Sequence, residues 1–331
     1  MLSLPHGGTL INQMLNDSNK SNELIMSCIG EVELNERQLC DVECIINGAF
    51  SPLTGFMTET EYLSVVEEMK FPITKNKDTP SSVIFGLPVV FDISDSCNAK
   101  FMIPGNSVLL KYKHLPIAVF QITSQYTPNK IIEAVKCYNT TSIEHPAVHM
   151  IMSERGNIYC GGDIIGINKP LRDIPCRSPS EVRSELLQNP LTLALKPEES
   201  LDVIAFQCRN PIHRAHHAVM MHALANNSNK NALVLVHPTI GPTQHDDIPG
   251  LVRYETYKQL SAELADSRLV WDYLPYNMHM GGPREAIQHM IIRKNYGCTH
   301  FIIGRDMAGC KSSLTGRYNS YTWICIYDMY I

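Results

Sequence analysis

The stretch VIAFQCRNPIHRAHHAVMMHAL, Val203 to Leu224, decides how the second half of this chain is read. Its first four residues are an apolar run of strand length. Gln207, Arg209 and Asn210 follow, and then come four histidines, His213, His216, His217 and His222, in a pattern of helical period. Asn210 before Pro211 predicts a helix start, because Asn is a favoured N-cap and proline at the first helical position loses no needed N–H. A strand that feeds a helix is where an open α/β sheet binds its ligand, and the N–H groups of a helix start favour an anion. His213 and His216, three apart, share one face of the expected helix, with Gln207 and Arg209 in the loop before it. Two readings stay open at this point: a seat for an anion, or a core helix that carries surface histidines. Zinc at His213 and His217 is the weaker idea, since the acid of an HExxH motif is missing and Arg214 would repel a cation.

Outward from that stretch, LDVIAF (201–206), NALVLVHP (231–238), RLVWDYLP (268–275) and THFIIGRD (299–306) alternate with helical segments at 211–227 and 283–297. That alternation predicts a parallel α/β sheet. Upstream of about residue 175 the texture differs. SSVIFGLPVVFDI (81–93), SVLLKY (107–112) and PIAVFQIT (116–123) are short β-rich runs between Pro, Gly and Asn turn signals, with a helix at TETEYLSVVEEM (58–69) that Thr58 and Glu61 would cap. The proline-rich segment PLRDIPCRSPSEVRSELL (170–187), with Ser180 opening a helix, marks the boundary.

The 331 residues are 44% hydrophobic, enough for a sizeable core in two domains, and disorder is excluded. A net charge of −5 argues against a general nucleic-acid binder, so an anionic ligand has to be held by a local cluster. Eleven scattered cysteines, an odd number without a CxxC pair, fit neither a disulfide framework nor a zinc ribbon and suit a reducing compartment. No run approaches the ~18 apolar residues of a membrane span, and MLSLPHGGTLINQML lacks a basic leader. The cytoplasm is the expected location, with a trimmed plastid or other organellar protein as the alternative.

QCRNPIHRAH, Gln207 to His216, resembles the Gln-x-Arg-Asn-Pro-x-His-x-x-His signature of the ATP sulfurylases, or sulfate adenylyltransferases. PHGG (5–8), LNERQLCDVECIINGAFSPLTGFM (34–57), HPAV (145–148), VHPTIG (236–241), GGPREA (281–286) and IIRKNYGCTHFIIGRD (291–306) resemble further blocks of that family in family order. The resemblance implies an N-terminal PUA-like β-barrel at 1–178, a Rossmann-like parallel α/β nucleotidyltransferase domain at 179–316, and an atypical tail at 317–331. It implies that ATP and sulfate give adenosine 5′-phosphosulfate and pyrophosphate. Gln207, Arg209 and Gly281 would hold sulfate. Asn210, His213 and His216 would meet the ATP phosphates, and with Arg209 they form the implied catalytic set. Gln207, Gly304, Arg305 and Asp306 would help to place the nucleotide, while His237 either lines the pocket or is a core histidine. Mg²⁺ is expected to ride on the ATP phosphates with no protein ligand. A homo-oligomer is expected, with neither nucleic acid nor membrane as a partner.

Two departures stand out. His279 occupies a position where several members carry arginine, in a loop left flexible by Gly281 and Gly282, with Arg284 as another candidate loop contact. A histidine there would aid sulfate only when protonated, below roughly pH 6.5. After GRDMAGCKSSLTG the family continues with a segment like EDFYGxYDAQ and a further small domain, whereas this chain reads RYNSYTWICIYDMYI. A working enzyme and a truncated, inactive form that binds nucleotide or assembles with full-length subunits are both expected readings.

Overall fold

A computed structural model describes residues 2–76, 79–93, 100–244, 247–304, 307–310 and 325–328. The N-terminal half is built on a curled sheet of β1 (Glu31–Glu33), β2 (Gly55–Phe56), β5 (Phe91–Ile93), β6 (Ser107–Tyr112), β7 (Leu115–Tyr126) and β8 (Ile158–Gly166), in the order β1-β6-β7-β8-β2 with β5 also on β8. A hairpin of β3 (Lys70–Asn76) and β4 (Thr79–Ile84) stands apart from it. The twelve-residue β7 bends where its register on β8 shifts between Ile122 and Ser124, as an irregularity of this kind bends a strand. Gly162 lies opposite that bend at φ 146°, where a Cβ would meet the Gln121 carbonyl oxygen at 2.1 Å. Only glycine fits there.

Among the described residues, five α-helices pack around this half: α1 (Ser18–Ser27), α2 (Glu36–Ile46), α3 (Glu59–Glu68), α4 (Lys130–Tyr138) and α5 (Pro146–His149). The expected Thr58–Glu61 capping box opens α3. The helix expected to open at Ser180 begins one residue earlier: α6 (Pro179–Gln188) is capped by Ser178, whose hydroxyl accepts from Glu181 N–H. Serine at N-cap, proline at N1 and glutamate at N3 together satisfy the first-turn donors. The short α7 (Pro190–Leu193) follows.

The second sheet contains β9 (Asp202–Phe206), β10 (Ala232–Val236), β11 (Leu269–Trp271), β12 (His300–Ile303) and β13 (Cys325–Asp328), in the order β11-β10-β9-β12-β13. The first four are parallel and β13 is antiparallel at the edge. The chain leaves β9 through α8 (Arg214–Asn226) to β10, reaches β11 through α9 (Gly250–Leu264), and returns to the other side of β9 through α10 (Pro283–Asn295) and β12. The order therefore reverses between β9 and β12, and the crevice at their carboxyl ends is where such a sheet binds ligands.

Side chains alternate across β9. Val203 and Ala205 join the large core shared with the N-terminal half, and Ile204 and Phe206 join a second core with Met220, Leu224 and Tyr257. One face of the parallel sheet thus packs on the N-terminal half and the other on α8 and α9. Asn295 of α10 ties the halves directly. Its amide N–H₂ donates to Ala49 O at 2.9 Å and Ser51 O at 3.0 Å, and its carbonyl oxygen accepts from His6 N–H at 2.8 Å. Among the described residues, no helix is long and apolar enough to cross a membrane.

Candidate functional site

Beyond β9 the chain does not enter a helix at Asn210–Pro211, as the sequence predicts, but runs on until α8 begins at Arg214. The reason lies in its carbonyls. An N-cap carbonyl must accept from its own helix, whereas Asn210 O already accepts from the Tyr257 hydroxyl at 2.9 Å. Arg209 O accepts from Arg253 at 2.8 Å and Cys208 O from Thr239 N–H at 2.9 Å. Three contacts from the β10–α9 region hold the strand exit outside helical geometry.

His213 takes the N-cap position instead. Its Nδ1 accepts from Ala215 N–H at 3.2 Å, and Nδ1 of His216 accepts from His213 N–H at 3.4 Å. The two rings stack with centroids 3.9 Å apart. Because each Nδ1 accepts, the proton of each neutral ring sits on Nε2. The pair therefore offers two Nε2–H donors. Burial, and then neighbouring His213, hold His216 below its ordinary pKa.

Gln207 and Arg209, two apart on the extended exit, pair with Met278 and Met280, two apart on the loop that follows β11. Gln207 Nε2 lies 3.8 Å from the Met278 sulfur and 3.4 Å from Thr239 Oγ1, and Arg209 NH1 lies 3.5 Å from the Met280 sulfur. Thioether sulfurs are weak acceptors. The strong contact of Arg209 is with Asp247, whose Oδ2 accepts from Nε at 2.9 Å. Beside Met278, a cavity of about 750 Å³ lies between the two halves, lined by Arg37, His149, Gln244 and Asn277 among others.

The loop that carries these methionines is not the flexible segment its glycines suggest. Residues 277–282 are all buried, and the fully buried Glu285 accepts from His279 N–H and Gly281 N–H at 2.8 Å each. Burial pushes the Glu285 carboxyl up to about 7 against the pull of those N–H groups. Gly282 N–H donates to Ala308 O at 2.9 Å. The N–H of Gly281, expected on sulfate, is thus already engaged. His279 is 6% exposed, with Nδ1 3.3 Å from the Tyr138 hydroxyl and Nε2 3.4 Å from Asn277 Nδ2. Burial, with Arg155 and Arg37 adding positive charge, holds its pKa well below the ordinary value, so the protonation expected near pH 6.5 does not occur in this setting. Arg284 turns away from the loop and donates to Val65 O at 3.1 Å and Val66 O at 3.0 Å, carbonyls in the last turn of α3.

Across the crevice, β12 runs parallel to β9, with His300 opposite Ile204 and Phe301 opposite Ala205. Gly304 lies at its exit, and among the described residues no atom comes within 4 Å of the place a Cβ would take. Arg305 and Asp306, expected to place a nucleotide, lie outside the described residues. His237 is a core residue. It is fully buried, its ring packs 4.4 Å from Tyr296, and Arg293 donates to its carbonyl at 2.8 Å. Its nearest carboxylate, Asp272 at 3.5 Å, is pushed by burial up to about 7 despite Arg177.

The structure thus brings Gln207, Arg209, Asn210, His213 and His216 to one strand exit, with Gly304 across from them. It adds Asp247, Arg253, Tyr257, Glu285 and the two methionines, for which the sequence offered no motif beyond GGPREA around Glu285.

The family model described as ATP-sulfurylase matches residues 178–331, which takes in the tail at 317–331, and the model described as PUA-like domain matches 3–169. The sulfate adenylyltransferase of Candida albicans is 36% identical over 98% of this chain and 62% of its own length. That of Saccharomyces cerevisiae is 36% identical over 92% of this chain and 57% of its own, and that of Schizosaccharomyces pombe 37% over 87% and 56%. The chain therefore spans about three-fifths of the length of these curated relatives. Among solved structures, the hexameric APS kinase from Thiobacillus denitrificans superposes with a TM-score of 0.70 over 92% of this chain and 53% of that chain, at 20% identity. At that identity the likeness concerns the fold.

Proposed function

The chain belongs to the ATP-sulfurylase family, and on that premise we propose that it joins sulfate to the α-phosphorus of ATP, giving adenosine 5′-phosphosulfate and pyrophosphate. A sulfate oxygen forms the new bond to phosphorus as the bond from that phosphorus to the pyrophosphate oxygen breaks, and its electron pair leaves with pyrophosphate. Such a transfer needs two anions brought together and their charge offset, not a protein nucleophile. Arg209 supplies a planar fork of donors and Gln207 a neutral amide for sulfate. The Nε2–H groups of His213 and His216, with the Asn210 amide, serve the ATP phosphates and the charge that grows as pyrophosphate departs. Gly304 borders the nucleotide, and Arg305 and Asp306, next in sequence, are assigned to it by the family resemblance.

The observation that carries this reading is that the Gln207 and Arg209 donors rest on thioether sulfurs while both histidine Nδ1 atoms accept from the chain. With Arg209 Nε on Asp247 and Gln207 Nε2 at a long 3.4 Å from Thr239 Oγ1, the remaining donors meet weak acceptors side by side at a strand exit, which suits a multiply charged oxyanion. Mg²⁺ carried by the ATP phosphates would, when bound, offset their charge.

A second reading is that this chain folds and binds nucleotide or joins full-length subunits without turnover. Nine cysteines, Cys325 not among them, are free thiols in the described structure, which supports a reducing compartment, the cytoplasm or an organelle interior. A homo-oligomer is the proposed assembly. Coupled ATP formation from adenosine 5′-phosphosulfate and pyrophosphate tests the activity. Sustained ATP formation by the monodisperse chain is expected, and none would leave the second reading.

A further inference from the structure

Asp247 lies far along the chain from the signature it touches, and no motif points to it. Its side chain is 8% exposed and that of Arg209 is 18% exposed, so the pair is largely withdrawn from water. A guanidinium so placed needs a counter-charge, and where that charge sits on the fork distinguishes two roles. A carboxylate on the terminal NH1 and NH2 groups would occupy the seat a substrate anion needs. Asp247 does not do this. Its Oδ2 takes Nε at 2.9 Å from the side, and among the described residues the terminal NH groups meet no oxygen, with NH1 against the Met280 sulfur at 3.5 Å.

We propose that Asp247 is the positioning residue of the anion seat: it holds the Arg209 guanidinium by Nε so that the terminal fork is kept for a tetrahedral oxyanion, with sulfate as the substrate class. The inference rests on the functional reading above. Its geometry has three supports. The Arg209 carbonyl is fixed from behind by Arg253, whose own turn of α9 begins three residues after Asp247. Asp247 N–H donates to Gln244 O at 3.1 Å, which anchors the backbone that carries the carboxylate. Among the described residues, the other nearby carboxylate, Glu285, is engaged by two backbone N–H groups and does not replace it. With backbone and Nε both fixed, rotation of the guanidinium is restricted before the anion arrives, and that preorganisation strengthens binding.

The experiment measures pyrophosphate release by the whole chain against sulfate and against ATP, together with calorimetric titration by inorganic sulfate, in wild type, Asp247→Ala and Asp247→Asn. Asp247→Ala is expected to raise the KM for sulfate by about tenfold or more, the size of losing one hydrogen bond to a charged group, with kcat and the KM for ATP nearly unchanged. Asp247→Asn, whose amide oxygen can still accept from Nε, is expected to recover most of that loss, a rescue that general damage to the fold would not show. A sulfate KM that falls in both variants would make Asp247 a competing anion and overturn the proposal, as would no change, or an equal rise for ATP. Should Asp247→Ala fail to fold, the isosteric Asn variant carries the same test: a sulfate KM more than tenfold above wild type, or below it, sinks the proposal. If wild type itself neither turns over nor binds sulfate, the functional reading falls first and this inference with it.

Discussion

Glu133 in the N-terminal half and Arg209 at the end of the parallel sheet are both charged groups drawn out of water, and their surroundings are opposites. Glu133 is fully buried and its oxygens accept from Arg155 at 2.9 Å, Tyr62 at 2.9 Å and Tyr159 at 3.3 Å. Arg209 has one carboxylate on its side and a sulfur at its tip. A closed set of partners makes a charge part of the scaffold, since buried polar groups are normally paired. An open set leaves the pairing to a ligand. The difference separates residues that hold the fold from residues that the fold holds ready.

Four changes test that separation. The largest effect is expected for Arg155→Met, which leaves Glu133 buried without its cation and so destabilises by about 3–5 kcal/mol. Urea unfolding measures it, and the fraction still folded should keep its sulfate KM. A shifted KM at Arg155 would blur the contrast. His216→Ala removes an Nε2–H donor and is expected to lower kcat by ~10²–10³, while its loss from the first turn of α8 moves the unfolding midpoint far less. If turnover survives in single-turnover kinetics, the histidine pair belongs to the scaffold.

Arg209→Ala should raise the KM for sulfate by about 10- to 100-fold with a smaller loss of stability than Arg155→Met, because the carboxylate it strands, Asp247, is 8% exposed whereas Glu133 is fully buried. An equal loss of stability there would place it with Glu133. The smallest effect concerns pH. The Glu285 carboxyl, near 4.5 when unfolded and about 7 when folded, keeps its proton in the folded chain while the unfolded chain loses it. Stability from this group is therefore full below about 4.5, falls as pH rises towards 7, and is level above. Glu285→Gln should flatten that slope relative to wild type in unfolding measured from pH 4.5 to 8. Over pH 6 to 8.5, His279 should add nothing to the sulfate KM, since its burial keeps it neutral throughout.

The parts of the molecule governed by local pattern were legible in the sequence. The alternating apolar runs became β9 to β12, the Thr58–Glu61 box capped α3, and the residues of QCRNPIHRAH came together at one strand exit. The failures share a cause. Asn210–Pro211 is a sound local helix start, yet a tyrosine hydroxyl from 47 residues downstream takes the Asn210 carbonyl. Gly281 and Gly282 promise mobility, yet one buried glutamate ties the loop down. Arg284 and Glu285 are neighbours whose side chains serve different places, the end of α3 and the methionine loop. In each case a partner distant in sequence outweighs the local signal, and only the fold brings it near.

The large core that runs under both halves bears on how this chain would respond to being cut. Val203, Ala205 and Leu233 of the parallel sheet pack in one cluster with Leu39, Phe56 and Phe120 of the N-terminal half, and Asn295 bonds to the backbone of both Ala49 and Ser51. The connecting strap offers a protease Leu171, 83% exposed, next to Arg172, which stays anchored to Glu43. A nick at Leu171 would sever the peptide but not the core. The two fragments should therefore elute together, and two separately produced pieces should find each other and rebuild the crevice, because what joins the halves is packed surface and not the strap of chain between them.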